Sequence, residues 1–581
     1  METCVTRVRI ITKAIRLFSL AAACLLAQGV WAATWQGGAS GTLDDAANWD
    51  GDIATSAMVF TNDVTLTLSA DATVYDVFWN NTTLSDNLQK NRNVTFDLNG
   101  KTLTNHTNGS WNGEGSTFSF TGGTFLNVAS GGTTNVVVTE NANRAHSMTL
   151  VATGEDAVFV GSVENRVRNT AHPSLSFKVL DGAKAFGEHY TLGGIGSTNE
   201  FSGGASVTFD SAFTFGSFTG YTPGRDNLLT IDGATLAARN PASSGTLYVG
   251  NGYASQDNLF LAKNGAKIDV YALDIGINAT TNNEMRLTDA GTKFTQVATS
   301  GATSHIGNGA DSVSNRLVVA DHAVAEFNRV MLVGTGASLG GTLRIENGGV
   351  VTNKQAIYIG QNTGAENGKS ARVVVTGEGS EWETTTIWTY LINGTGDAEY
   401  AHEIYVGDGA KFNGKLGMAG VGNRLVVNDA TITLSNLFTT NNYVGVTGAS
   451  GSTIRIAGDN AKLTTSNLNG NDKAFAGSEI LEFVIPEKGW ASAPFVATVV
   501  FTVRSGVTLK LDAASVKAYV KAHPDGGTVP LMYTGSPNRA ITIEDATALA
   551  ANLPEGCSLV NESGVLSVKM PKASGLTIIV R

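Results

Sequence analysis

The sequence predicts an all-β chain wound into a single-stranded β-solenoid, a parallel β-helix of about 14 coils, with an N-terminal cap and a small C-terminal α+β module. Three observations predict it. An alternating apolar strand ending in Asp or Asn, then Gly or Ala, recurs along the chain; a second strand type ending in Gly is interleaved with it; and 68 glycines stand against 10 prolines in 581 residues. Glycine at that level, with abundant Asn, Thr and Ser, suits many short strands joined by tight turns. The absence of a G-X-Y period excludes collagen.

Residues 1–32 read as a secretory signal peptide. Arg7, Arg9, Lys13 and Arg16 form a basic start, Leu17 to Val30 a short apolar run, and Val30-Trp31-Ala32 a small-residue cleavage site. Cys24, preceded by Ala21-Ala22-Ala23, is a weaker lipoprotein alternative. No later stretch reaches the length of a membrane span, so no transmembrane segment is expected in the mature chain. Residues 33–60 carry Trp35 and Trp49 without a clear coil and read as the N-terminal cap.

The solenoid is expected over 61–480. Its first unit reads Leu228-Leu229-Thr230-Ile231-Asp232-Gly233 and returns as Leu259-Phe260-Leu261-Ala262, Leu317-Val318-Val319-Ala320-Asp321, Leu343-Arg344-Ile345-Glu346-Asn347-Gly348 and Leu425-Val426-Val427-Asn428-Asp429. Its second unit, as in Leu247-Tyr248-Val249-Gly250 and Ile404-Tyr405-Val406-Gly407, places glycines at 250, 276, 307, 334 and 360, a spacing of 26 to 31. Two strands in each period, ending where Gly or Asn can take φ > 0, describe one coil. The alternation sends Val319, Ile345 and Val427 inward and leaves Arg424 outside. Helical repeats are excluded by the period of two and the β-branched content, and propeller blades need about 40 to 50 residues.

The phrases Ile404-Tyr405-Val406-Gly407-Asp408-Gly409 and Val373-Val374-Val375-Thr376-Gly377-Glu378-Gly379-Ser380-Glu381-Trp382 resemble the strand repeat of autotransporter passengers and PEP-CTERM-associated secreted proteins. The opening Thr34-Trp35-Gln36-Gly37-Gly38 is similar to the segment that precedes such repeats. The resemblance covers roughly 34–470 and implies an exported, rod-like bacterial protein, secreted or held at the cell surface. The chain carries neither a long C-terminal barrel nor a terminal Pro-Glu-Pro motif with apolar anchor and basic tail.

From about 481 the repeat stops, and 481–581 reads as the α+β module. Asp512 is placed to cap a helix from Ala513 to His523 with Val516, Tyr519 and Val520 on one face. A shorter helix is expected within Ile543–Asn552, with strands such as Val507–Leu511 and Val565–Val568 around the pair.

Charge and cysteine usage narrow the function. The net charge is −11, against nucleic-acid binding, which needs a concentrated basic face. Cys4 and Cys24 leave with the signal, so Cys557 has no partner for an intrachain disulfide. Eight histidines fall in no metal-ligand spacing, so neither a metal site nor a cofactor is expected. Asp and Asn at successive turns can stack into ladders, which leaves weak calcium binding open.

Solenoids also host polysaccharide lyases and glycosidases, the latter acting through paired carboxylates. Asp44-Asp45 are adjacent and point to opposite faces as turn residues. Glu381 and Glu383 flank Trp382 at a spacing that shares a face, and Asp397, Glu399, His402 and Glu403 form the densest titratable cluster. The packing alternatives are a solvated strand face with Trp382 against a neighbouring coil, and a polar loop before Ile404. No catalytic residue is expected. The sequence is read as a structural or adhesive surface solenoid offering Trp382, Trp388 and Tyr390 to extracellular glycans; the alternative is a carbohydrate-active enzyme on the same fold.

Overall fold

The computed structural model describes residues 32–573 apart from 78–90, 107–114, 129–135, 140–147, 166–174, 217–223, 253, 310, 336–337, 361–369, 393–400, 420, 440–450, 476 and 536–538. The signal segment therefore lies outside the described residues, except Ala32. The rest is a β-solenoid. One ladder of eighteen parallel strands takes the recurring Leu/Val/Ile unit as its rungs, each hydrogen-bonded to the rung before and the rung after. The rungs from Val64–Thr67 to Gly451–Ala457 enclose fourteen turns, as the sequence predicts. The stack continues into both terminal segments, through Ser40–Thr42 at one end and Ile480–Val484 and Thr508–Leu511 at the other.

Central coils carry three strands where the sequence reading found two. Leu259–Lys263 is followed by Lys267–Val270 and then Ala272–Ile277; each pairs in parallel with its counterpart in the next coil, Glu284–Leu287, Lys293–Gln296 and Thr303–Asn308. The missed strand has four residues, of which only Ile268 and Val270 face in. So short an alternation, starting straight after Asn264-Gly265, is hard to separate from its turn. Asn264 and Gly265 both have positive φ, 54° and 80°, which swings the chain from the first ladder to the second. Asn and Gly are among the few residues that tolerate this conformation.

The inward register holds where it was predicted. Val319 stands beside Ile345 in adjacent rungs, and Val427 beside Val406; Val319, Ile345 and Val427 are fully buried. One apolar core runs the length of the stack. It opens on Trp35 and Trp49, whose rings meet edge to face at 5.1 Å, and continues through Phe60, Phe96 and Phe120.

A second, polar column runs inside the first ladder at the start of its strands. Asn227, Asn258, Asn283 and Asn315 are buried, and each donates its Nδ2 to the Oδ1 of the next, at 2.7, 2.7 and 2.9 Å. Unpaired amides there would cost about 1–3 kcal/mol each, so the chain of bonds is what allows polar groups in a dry interior. Register places Gly341, Ala371, His402, Asn423 and Ser452 in the same column further along. The column also accounts for the glycine period. Gly250 and Gly276 have φ of 67°, and a Cβ on either would overlap the side chain of Asn283 or Asn315. The repeating glycine therefore serves both the turn and the side chain across from it, which is Asn283 or Asn315 for these two, Ala371 for Gly334 and His402 for Gly360.

At the C-terminal end the second ladder changes direction. Gly527–Thr534 pairs antiparallel with Val565–Met570, which pairs antiparallel with Ser558–Glu562. Helix α1, Ala513–Ala522, is capped by Asp512, whose Oδ1 accepts the Ser515 N–H at 2.8 Å, and it buries Val516 and Tyr519. Helix α2, Ala546–Ala550, is shorter than expected. The antiparallel pairs end the second ladder, and helix α2 packs against Thr508–Leu511, the last rung of the first. Among the described residues no helix is long and apolar enough to cross a membrane.

Candidate binding surfaces

The strand Glu381–Ile392 brings the predicted aromatic residues to different places. Its pairing with Lys411–Ala419 shifts register between Glu383 and Trp388, where the chain passes from the second ladder to the third. The shift reverses which residues face inward. Before it, Trp382 points into the core, fully buried, stacked on Phe412 at 4.5 Å with Nε1 donating to Asn353 Oδ1 at 3.2 Å. Trp382 therefore cannot meet a ligand; it packs between coils. After the shift, Thr389 and Leu391 are buried, and Trp388 and Tyr390 face out, half-buried.

Those two rings belong to an outer aromatic ladder. Tyr390 sits beside Tyr358 of the preceding rung, with centroids 5.1 Å apart and planes 16° from parallel. Trp388 lies 6.0 Å from Tyr390 in a parallel orientation and meets Phe438 edge to face at 4.8 Å. Lys415 holds its Nζ 6.0 Å from the Trp388 ring centre, the outer limit of cation–π attraction. Tyr358 and Tyr390 stack on successive rungs and Trp388 flanks Tyr390 on the same strand, so three partly exposed aromatic side chains form one outer patch.

The carboxylates divide. Glu381 and Glu383 share the outer face, as their spacing implies, and Glu381 accepts a hydrogen bond from Asn413 Nδ2 at 2.7 Å. His402 and Glu403 are adjacent and face opposite ways. Glu403 is outside, paired with Arg372 at 2.5 Å and Arg424 at 3.7 Å. His402 is inside the polar column, where its Nδ1 accepts the Ala371 N–H at 3.2 Å and its own N–H donates to Asn423 Oδ1 at 3.0 Å. Burial pushes the His402 imidazole down to about 4, and a hydrogen bond to the backbone of Ile392 only partly opposes this. Asp397 and Glu399 lie outside the described residues. Asp44 binds Ser69 from the turn, and Asp45 caps the turn at Ala47. Burial raises the Cys557 thiol above its ordinary value, and its Sγ lies 3.9 Å from Met570 Sδ. Among the described residues no three His, Cys, Asp or Glu side chains come together to hold a metal.

Sequence reasoning missed a second surface. On the outer face of the first ladder, Arg286, Arg316, Arg344 and Arg372 line a groove of about 620 Å³ with Glu284 and Glu346. Each arginine was legible as outward-facing within its own strand, but their convergence depends on register between coils of unequal length. Comparison with family models, with curated proteins and with solved structures finds no match to this chain.

Proposed function

We propose that the protein is an exported rod, secreted or held at the cell surface, that works by adhesion and holds extracellular glycans against the aromatic ladder of Tyr358, Tyr390 and Trp388. The observation that carries this reading is the ladder itself. Half-buried rings stacked along three positions of an outer sheet face leave apolar surface partly in water, which a fold with a fully supplied core does not need. The leader-like segment and the resemblance to exported strand-repeat proteins support the location. A binding role is favoured over turnover because the candidate acids are engaged separately: Glu381 with Asn413, and Glu403 with two arginines.

The test is a glycan array, followed by assays for release of reducing ends from any polysaccharide bound. The native protein is expected to bind without turnover, and Trp388→Ala/Tyr390→Ala to lose about tenfold or more in affinity. Release of reducing ends that disappears in Glu381→Gln/Glu403→Gln would replace the adhesive reading with an enzymatic one. Glycan binding untouched by the aromatic double variant would remove the ladder from it.

A further inference from the structure

We propose that the arginine groove on the first ladder binds an acidic polysaccharide, one carrying carboxylate or sulphate groups along its chain. This site is on a different sheet face from the aromatic ladder and takes a different ligand class. Its geometry follows from register. Arg286, Val318 and Arg344 occupy one outer column in successive rungs, and Arg316, Thr342 and Arg372 occupy another. Four consecutive rungs thus present one guanidinium each, alternating between two columns, with rungs roughly 4.8 Å apart. A polymer lying along the rod would meet a fork of donors at every rung.

The local charge departs from that of the whole. The chain carries −11 overall, yet four guanidinium groups line the groove against two carboxylates, with Glu403 of the next rung pairing Arg372 at 2.5 Å. Those carboxylates do not saturate the arginines. Arg286 uses Nε on Glu284 at 2.7 Å and Nη1 on Glu346 at 3.3 Å. Arg316 and Arg344 contact Glu284 and Glu346 only through Nε, so their terminal Nη nitrogens have no acceptor among the described residues. A guanidinium carries five donors in a planar fork that matches carboxylate and sulphate oxygens. Glu284 is buried, so it keeps its arginine partners, and a ligand meets the remaining donors of the forks beside it.

Leu339 stands at the edge of the same groove and is 43% exposed, the only large hydrophobic side chain so exposed among the described residues. It offers an apolar contact beside the charges, as a sugar ring requires. Nucleic acid is disfavoured, because no aromatic platform lines the groove to stack bases.

The experiment is calorimetric titration of the purified protein with polygalacturonate (carboxylated) and heparin (sulphated), with dextran and single-stranded DNA as controls. Binding to either polyanionic sugar is expected, weakening as salt rises. Arg316→Gln/Arg344→Gln should cost about tenfold or more. Polygalacturonate alone would identify carboxylate as the recognised group, and heparin alone sulphate. Binding to neither, equal binding to the DNA, or full binding by the Gln pair would overturn the proposal. If the Gln pair fails to fold, Arg316→Lys/Arg344→Lys carries the test: it keeps the charge and loses the fork, and undiminished binding would sink the argument.

Discussion

His402 replaces asparagine in a buried column, and that exchange makes stability depend on pH. The imidazole is 1% exposed and its Nδ1 already accepts a backbone hydrogen bond, so the folded chain holds it neutral, with its pKa depressed to about 4 from an ordinary 6.5. The sign follows from proton counting. Above pH 7 neither the folded nor the unfolded chain carries the proton. As pH falls through 6.5 the unfolded chain takes it up and the folded chain does not, so stability is lost progressively until about pH 4. A depression of this size corresponds to about 3 kcal/mol at the acid end of that window. The informative variant is His402→Asn, which restores the residue found at Asn283, Asn315 and Asn423 and removes the titrating group. Urea unfolding midpoints for both proteins from pH 8 to 4.5 isolate the effect, because every other carboxylate and histidine is common to the two. The variant is expected to gain on the parent as pH falls. A stability difference that stays constant from pH 8 to pH 4.5 would show that His402 is not held neutral.

Two further expectations rest on the stack. Val427→Asp buries a carboxylate among Val406 and Ile456 and should cost several kcal/mol, about 3 or more, whereas Arg424→Gln on the outer face should cost about 0.5; equal thermal midpoints for the two would refute the inward register. Gly276→Ala introduces a Cβ into the space of the Asn315 side chain at a φ of 67°, so it should destabilise by about 2 kcal/mol or more, while Ala at the open Gly265, φ 80°, carries only the conformational penalty of about 1. Matching losses at the two glycines, read from urea midpoints, would remove the asparagine column as the reason for the period.

What was legible in the sequence depended on how far the deciding contact lay along the chain. Alternation is local, so the burial of Val319, Ile345 and Val427 could be read strand by strand. The helix cap at Asp512 was legible for the same reason, its acceptor lying three residues from the amide it caps. The aromatic site failed at one point: residues 382, 388 and 390 have the same parity, but the register shift after Glu383 turns Trp382 in and the other two out. A period of two cannot be carried across such a shift. The asparagine column left a signal, the repeated pairs Asp226-Asn227, Asp257-Asn258, Asn282-Asn283 and Ser314-Asn315 where each strand begins, and turn chemistry alone explains only half of each pair. The first residue takes positive φ, and the second turns inward to bond its counterpart 25 to 32 residues away. The arginine groove is the extreme case. Its four side chains come from strands whose spacing varies with each coil's loops, so only the hydrogen-bonded register puts one guanidinium on each of four consecutive rungs. A surface of this kind is set by coil length as much as by residue identity. An insertion that slid one strand by two residues would keep its apolar face inward and would still break the column.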